Sequence, residues 1–298
     1  MPAFAMPSQP TSRAYKVDSS ALRDRLLYAL AVVTLVAAVC GCSRLPALSP
    51  EELESPDRIE HLAPNAAAEL VAHIRDLHDG AVNLRLDGLR TIPKASAAVL
   101  ASSLPDNACL CLDGVSTLPE DVAKEIASTS CHYLSLNRLE DVSDDVARAL
   151  SNYRGGQYGS DLHLDGTKTL SLDGIAHLAT SSARGLSLNG LSALTAEQAR
   201  AFAKFQGHVL SLDGVKSLSP EAASELAGYR GSMLSLGGLE SISAEVAEAL
   251  ARFQGEALWL TRLRDPSEQV VNALRSSGAS VSTPLGELGE PTDAADSR

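Results

Sequence analysis

The hydrophobic positions of this sequence recur at a nearly fixed spacing from residue 84 onward. The recurring pattern is a leucine, any residue, a second leucine, aspartate or asparagine, glycine, and a further aliphatic residue. Its first leucine falls at Leu84, Leu110, Leu134, Leu162, Leu186, Leu210, Leu234 and Leu258, at intervals of 26, 24, 28, 24, 24, 24 and 24 residues. Four identical final intervals exclude coincidence, so the chain contains eight internal repeats.

Each repeat predicts a short strand, a turn and a helix, in the order shown most clearly by residues 210–233. Leu210-Ser211-Leu212 alternates apolar and polar residues, which is typical of a strand with one buried face. Asp213-Gly214 supplies two residue types that favour a tight turn. A helix follows, because Ser219 is a favoured N-cap and Pro220 a favoured first residue. Its predicted buried stripe comprises Ala222, Ala223, Leu226 and Ala227, with Tyr229 closing the helix and Gly231 ending it.

The repeat resembles leucine-rich repeats, whose period and Leu-x-Leu strand it shares. The resemblance spans about Leu84 to Val281, with a degenerate entry helix at 62–78, and it implies an α/β solenoid. We expect about eight 24-residue repeats, with short parallel strands on one side and helices on the other. The family usually has asparagine three residues after the second leucine, where this chain has mostly aliphatic residues, so the exact turn geometry is not carried over.

The N-terminus predicts export and anchoring. An apolar run of 14 residues, Leu26–Val39, is too short for a comfortable bilayer span and has the length of a signal-peptide core. It ends in Val39-Cys40-Gly41-Cys42, which resembles the lipobox of bacterial lipoproteins. The resemblance implies a signal peptide over 1–41 and lipidation, for example with palmitate, at Cys42. Modification of Cys40 and an uncleaved membrane anchor are the alternatives.

Composition and charge narrow the remaining possibilities. The net charge is −12, and it becomes −14 once residues 1–41 are removed, which argues against a nucleic-acid partner. Aromatic residues make up 4%, so the core is built from aliphatic side chains, and Phe205, Tyr229 and Phe253 are predicted to stack in one column. We expect a tether over 42–57, the solenoid over 58–282 and a disordered acidic tail over 283–298.

The exposed face of the predicted sheet carries the candidate binding residues. In such a solenoid the residue between the two strand leucines, and the one before the first leucine, face away from the core. Most of these residues are small and polar, but five have the character of interface anchors. They are Arg85, Tyr133, His163, Met233 and Trp259. The alternatives are that they have drifted on a solvated face, and that Trp259, in the last repeat, caps the end of the core.

Three other constellations have a chemical and a structural interpretation. The column of aspartates and asparagines after the strands fits either a cation site or ordinary turns. The cysteines Cys109, Cys111 and Cys131 fit a Cys109–Cys131 disulfide, a metal site, or small strand residues. Ser135 and Ser187 flank His163, with Asp161 and Asp165 nearby, so the residue types of a hydrolytic triad are present. We favour the structural interpretation of the first two and expect no catalysis.

These observations predict a membrane-anchored lipoprotein of the cell envelope that acts as a protein-binding repeat module. We expect no cofactor, no metal and no nucleic acid. The resemblance to lipoprotein sorting signals, in which Ser43 follows the lipidated cysteine, implies the outer rather than the inner membrane. The sequence names neither the protein partner nor an oligomeric state. The alternatives are a structural scaffold without a specific ligand and a serine hydrolase that uses Ser135 or Ser187 with His163.

Overall fold

The computed structural model describes residues 48–77, 82–156, 159–284 and 286–288. The predicted signal peptide, Cys40 and Cys42 lie outside the described residues, as does most of the predicted tail. The described residues therefore comprise the repeat region and its two ends.

A single sheet contains one short strand from every repeat. Nine strands run parallel in chain order, and a tenth pairs with the ninth in the antiparallel direction. The strands are β1 (Asn83–Arg85), β2 (Cys109–Cys111), β3 (Tyr133–Ser135), β4 (Asp161–His163), β5 (Gly185–Ser187), β6 (Val209–Ser211), β7 (Met233–Ser235), β8 (Ala257–Trp259), β9 (Ser280–Thr283) and β10 (Gly286–Leu288). The first leucines of successive repeats are in register, as Leu110 with Leu134, so they form one continuous buried row.

From residue 64 onward the helices pack on one another in chain order, and those from residue 94 onward connect successive parallel strands. The helices are α1 (Pro50–Glu54), α2 (Pro64–Leu77), α3 (Lys94–Ser103), α4 (Glu120–Ala127), α5 (Asp144–Leu150), α6 (Leu172–Ala179), α7 (Ala196–Phe202), α8 (Pro220–Leu226), α9 (Ala244–Leu250) and α10 (Glu268–Arg275). From α5 onward each helix begins after a serine or threonine whose side chain accepts a backbone N–H bond, as Ser219 does from Ala222. We call one strand with its turn and helix a rung.

The fold is the α/β leucine-rich-repeat-like solenoid that the sequence predicts. Its core is the continuous layer of leucine and alanine side chains between the sheet and the helices. The structure has one parallel strand more than the eight of the sequence pattern, because β9 is in register with β8 through Val281 and Leu258. The pattern misses this strand since its sequence, Ser-Val-Ser-Thr, contains no leucine.

The ordered structure extends past both expected boundaries, 58 and 282. Helix α1 and a 3-10 helix, Pro56–Arg58, form within the segment expected to be a tether. Leu48 and Leu53 from this segment are buried in the same core as the repeats. Strand β10 lies within the segment expected to be a disordered tail. The N-terminal segment thus covers apolar surface that the first rung leaves open, which is the role of a capping unit in a solenoid.

An aromatic column runs through the core, as predicted. The rings of Phe205, Tyr229 and Phe253 stack with centroids 6.2 and 6.1 Å apart, and all three are buried. The prediction for Tyr229 and Gly231 as the helix end is wrong, because α8 already ends at Leu226. Gly231 has a packing role instead: a Cβ there would lie 2.0 Å from the Tyr229 hydroxyl oxygen.

Candidate functional site

The exposed side of the sheet, opposite the helices, is the surface on which the candidate residues lie. We call it the sheet face and define it by the strand residues that flank the first leucine of each rung. Arg85 and Trp259 are exposed on it, while Tyr133, His163 and Met233 are partly buried. Arg85, on β1, forms a 2.7 Å ion pair with Asp87 of its own turn. The five residues therefore share one face, as predicted, but they do not form one cluster.

Tyr133 and His163 form an aromatic pair on adjacent strands. Their ring centroids are 4.5 Å apart and their planes are inclined by 33°. Tyr133 on β3 is opposite Asp161, and His163 lies two residues further along β4, so the pair is diagonal in the sheet. Burial is the largest influence on the Tyr133 hydroxyl, and it raises the pKa of that group. The pair is thus a fixed feature of the sheet face, about three strand spacings, or ~14 Å, from Met233 on β7.

Trp259 is not at the end of the sheet. In the strand register it lies between Ser235 of β7 and Ser282 of β9. Strands β9 and β10 follow it, so the end of the core is covered by other residues and the interpretation of Trp259 as a cap is wrong. The Trp259 side chain stays 41% exposed among small neighbours. Trp259 is therefore exposed because its neighbours on the sheet face are small, and not because it lies at the end of the sheet.

The aspartates and asparagines that follow the strands form a hydrogen-bonded ladder. We call it the Asx ladder, and its members are Asp113, Asn137, Asp165, Asn189 and Asp213. The side-chain Oδ1 of each member accepts the backbone N–H of the residue at the same place in the next rung, at 2.6–3.1 Å. Five such bonds join the turns of six successive rungs, which satisfies turn amides that a strand or helix cannot reach.

Serines of the strands take part in the same ladder. The Ser135 hydroxyl donates to Asp113, Ser187 to Asp165 at 2.5 Å, Ser211 to Asn189 at 2.8 Å and Ser235 to Asp213 at 2.5 Å. Three of these serines, Ser135, Ser187 and Ser235, are buried. The expectation that the serine column faces solvent is therefore wrong at these positions. The stacked carboxylates do not need a cation, since hydroxyl and amide donors compensate them.

His163 replaces serine in this column, and its position bears on the hydrolase alternative. Its Nδ1 lies 3.7 Å from Oδ2 of Asp165, and in the described part of the chain no hydrogen bond joins it to Ser135 or Ser187. Both serine hydroxyls donate to aspartates instead. The arrangement brings serine to carboxylate and not to imidazole, whereas a triad needs the imidazole to accept the serine proton.

Asp165 is ionised more readily than an ordinary aspartate. Burial, the largest single influence, raises its pKa, but the His163 contact, the Ser187 hydroxyl and the Asn189 N–H together outweigh it. The pKa of Asp165 therefore lies below its usual value of 3.8. A carboxylate that accepts several hydrogen bonds is stabilised in its charged form.

The three described cysteines are free thiols. Cys109 Sγ lies 3.6 Å from Nε2 of His132, and Cys131 accepts a 3.0 Å hydrogen bond from the Thr129 hydroxyl. The Cys109–Cys131 disulfide that the sequence allows is not formed here. Burial raises the pKa of the Cys111 and Cys131 thiols to about 11, which disfavours the nucleophilic thiolate. Within residues 48–288 as described, no three His, Cys, Asp or Glu side chains are placed to hold a metal ion.

A recess of about 260 Å³ interrupts the sheet face over strands β4, β5 and β6. It arises at Gly185, where the neighbouring strand positions carry the larger Asp161 and Val209. A Cβ at Gly185 would lie 2.5 Å from Oδ1 of Asp161, so the aspartate side chain extends over the glycine. The recess is lined by Asp161, His163, Asp165, Gly185, Leu186, Ser187, Asn189, Val209 and Ser211. It is the place where acidic, aromatic and small residues of the sheet face meet.

None of the helices in the described ranges is long and apolar enough to cross a bilayer. Among solved structures, the chain is similar to the crystal structure of the leucine-rich repeat-containing protein LegL7 from Legionella pneumophila. The two share 15% identity with a TM-score of 0.47, over 79% of this chain and 93% of that chain. No protein-family model and no curated protein matches the sequence. The description of the fold accordingly rests on the register of its own strands.

Proposed function

We propose that this protein is a lipid-anchored module of the cell envelope that binds a protein partner through its sheet face and performs no catalysis. The observation that carries the proposal is the sheet face itself: an open row of nine strands on which Trp259 and the Tyr133–His163 pair project among small side chains. Large, rigid side chains among small ones are typical of interface anchors.

Crosslinking on intact cells tests the binding function. We expect a protein partner to be captured by the native chain and lost when Trp259→Ala and Tyr133→Ala are combined. Leu172→Ala is the matched control, because Leu172 is an exposed large hydrophobic residue at the start of α6, away from the strands. Capture that is equally insensitive to both substitutions would contradict binding through the sheet face, and the capture of no partner by the native chain would favour a scaffold without a specific ligand.

The membrane anchor is tested separately, by incorporation of labelled palmitate. We expect the native chain and a Cys40→Ser variant to be labelled, and a Cys42→Ser variant to be unlabelled. Labelling that survives Cys42→Ser would overturn the assignment of the lipidated residue. Separation of inner and outer membranes by density then tests the proposed outer-membrane location.

The absence of catalysis is tested with a fluorophosphonate probe, which labels activated serines. The serine hydroxyls nearest His163 are already engaged with Asp113 and Asp165. We therefore expect no labelling of the native protein. Labelling that disappears in Ser187→Ala or Ser135→Ala would establish the hydrolase alternative.

A further inference from the structure

The recess over β4–β6 differs from the rest of the sheet face in shape. Gly185 and Ser187 form its floor, His163 stands on one side and Val209 on the other. Its volume of about 260 Å³ is below the range of pockets that enclose a whole small molecule. A space of this size, open toward the sheet face, suits a single side chain presented by a larger partner.

The charge of the recess has one sign. Asp161 and Asp165 both line it, and neither forms an ion pair with a lysine or arginine in the described part of the chain. Strands β3 to β8 contain no lysine or arginine at all. Asp165 uses Oδ1 in the Asx ladder, and its Oδ2 lies 3.7 Å from Nδ1 of His163, which also lines the recess. Two carboxylates in a partly desolvated concavity attract a cation more strongly than carboxylates on an open surface.

The aromatic pair adds a second interaction for a cation of the right shape. The His163 ring lines the recess and is backed by Tyr133 at 4.5 Å between centroids. A planar guanidinium stacks flat on ring faces and bonds carboxylates in a fork, while a lysine ammonium is a compact, strongly hydrated point charge that has neither the plane nor the fork. A bare metal ion fits poorly, because no three metal-binding side chains among the described residues are arranged to ligate one.

We infer that the recess accepts a cationic side chain, preferentially arginine, from the protein that docks on the sheet face. The inference rests on the proposed binding function and specifies the chemistry of the partner: a surface loop or extended segment with an exposed arginine. Asp161 and Asp165 neutralise its charge, and the Asp161 side chain, which extends over Gly185, lines one side of the space that it enters.

A pair of labelled peptides tests this on the full-length protein. The first probe is fluorescein-labelled Gly-Ser-Arg-Ser-Gly, and the second has neutral citrulline in place of arginine. Binding is measured by fluorescence anisotropy in about 20 mM salt, where the charges are screened least. We expect the arginine peptide to bind about fivefold to tenfold more tightly, which is the order expected for one guanidinium that pairs with two partly exposed carboxylates. Equal binding of the two peptides would overturn the inference.

Variants separate the recess from the general acidity of the chain. Asp161→Asn combined with Asp165→Asn removes two charges and keeps the ladder, because asparagine already serves at 137 and 189. Asp173→Asn combined with Glu197→Gln removes two exposed charges from helices α6 and α7 and is the matched control. We expect about a tenfold loss of arginine-peptide affinity in the first pair and less than twofold in the control. Equal losses would show nonspecific attraction and refute a defined subsite.

Displacing the Asp161 carboxylate gives a second test of the same site, because a Cβ at Gly185 would lie 2.5 Å from its Oδ1. Gly185→Val introduces the residue that the next strand carries at this position, Val209. We expect arginine-peptide binding to fall to the level of the citrulline peptide. Unchanged binding in Gly185→Val, with a urea unfolding curve that shows a folded protein, would contradict the inference.

The crosslinking readout distinguishes failure of this inference from failure of the proposed function. Partner capture that depends on Trp259 and Tyr133 but is unaffected by Asp161→Asn with Asp165→Asn would leave the binding function standing and refute the arginine subsite. Capture that no substitution on the sheet face alters would refute the binding function. Loss of capture in both sets of variants supports both.

Discussion

The Ser235 hydroxyl donates a 2.5 Å hydrogen bond to Oδ1 of Asp213, and that same oxygen accepts a 2.6 Å bond from the N–H of Gly237. Asp213→Ala removes both bonds and leaves a partly buried amide and a buried hydroxyl without partners. We expect it to lower the free energy of unfolding by about 1–3 kcal/mol. Asp213→Asn keeps an acceptor in place and is expected to cost less than about 1 kcal/mol. Urea denaturation measures both, and equal losses would contradict the ladder.

The Asx ladder does not extend to Asp87 of the first rung, where the serine of the following strand is replaced by Cys111, and this suggests a stabilising substitution. Cys111 is in register with Ser135, so a thiol stands where the next rung has the hydroxyl that donates to Asp113. The corresponding acceptor, Oδ1 of Asp87, is buried and has no hydrogen-bond partner in the described ranges. We expect Cys111→Ser to raise the free energy of unfolding by about 0.5–1.5 kcal/mol.

Cys109→Ser serves as the control for Cys111→Ser. Cys109 also lies on β2, but it is two residues earlier and in register with Tyr133, so a hydroxyl there does not reach the ladder. A gain in Cys109→Ser as large as that in Cys111→Ser would show that loss of a thiol, and not completion of the ladder, is responsible.

The stability of the protein should depend on the ionisation of Asp165. Its pKa is lowered in the folded state from the ordinary 3.8, so the folded protein binds the proton less well than the unfolded chain. The stabilisation is fully present above about pH 4–5 and is lost as the pH falls through the lowered folded pKa. We expect the stability advantage of the native protein over Asp165→Asn to shrink between pH 5 and pH 2 in urea denaturation. An advantage that grows toward low pH would reverse the sign and contradict this.

The aromatic column constrains the glycines next to it. The Tyr229 hydroxyl donates a 2.8 Å hydrogen bond to the Gly207 carbonyl, and its ring edge leaves no room for a Cβ at Gly231. We expect Gly231→Ala to destabilise by more than about 1 kcal/mol through overpacking. Gly228→Ala is the control, since a Cβ there comes no closer than 3.0 Å to its neighbours. Equal destabilisation by the two substitutions would contradict the packing role of Gly231.

The N-terminal segment should stabilise the repeats although no repeat pattern marks it. Leu53 of α1 is 6% exposed and belongs to the continuous core, while the adjacent Glu54 is exposed. We expect Leu53→Ala to cost about 2–5 kcal/mol of unfolding free energy and Glu54→Ala less than about 0.5 kcal/mol. A Leu53→Ala variant as stable as the native chain would show that the segment is a tether after all.

The sequence predicted those features that depend on neighbours in the chain. Ser219 and Pro220 begin α8 as their local chemistry indicates, and Leu210 and Leu212 are buried as alternation requires. The sequence places the end of the same helix too late, because Tyr229 and Gly231 are spaced for packing against Gly207 of the preceding rung and resemble a helix terminus only locally.

The sequence does not predict the Asx ladder, because the bonds of the ladder join residues 22 to 28 positions apart. Turn chemistry alone explains an aspartate before glycine, so Asp213 by itself does not indicate a hydrogen bond to the next rung. A signal was nevertheless present: serine two residues before the Asx position recurs with the same period, as Ser187, Ser211 and Ser235. The recess could not be predicted in this way, since it depends on Gly185 lying between Asp161 and Val209 in the sheet.

Every bond of the Asx ladder joins one rung to the next, and none spans a longer distance. The total number of rungs is therefore not specified by the ladder. Excision of residues 210–233 would place Leu234 after Val209 and offer the Ser235 hydroxyl and the Gly237 N–H to Asn189, the same chemistry one step shorter. The sheet would lose about 4.8 Å of length and Met233, while Trp259 would move one strand closer to Tyr133. The distance between the anchors on this face is thus adjustable in units of 24 residues.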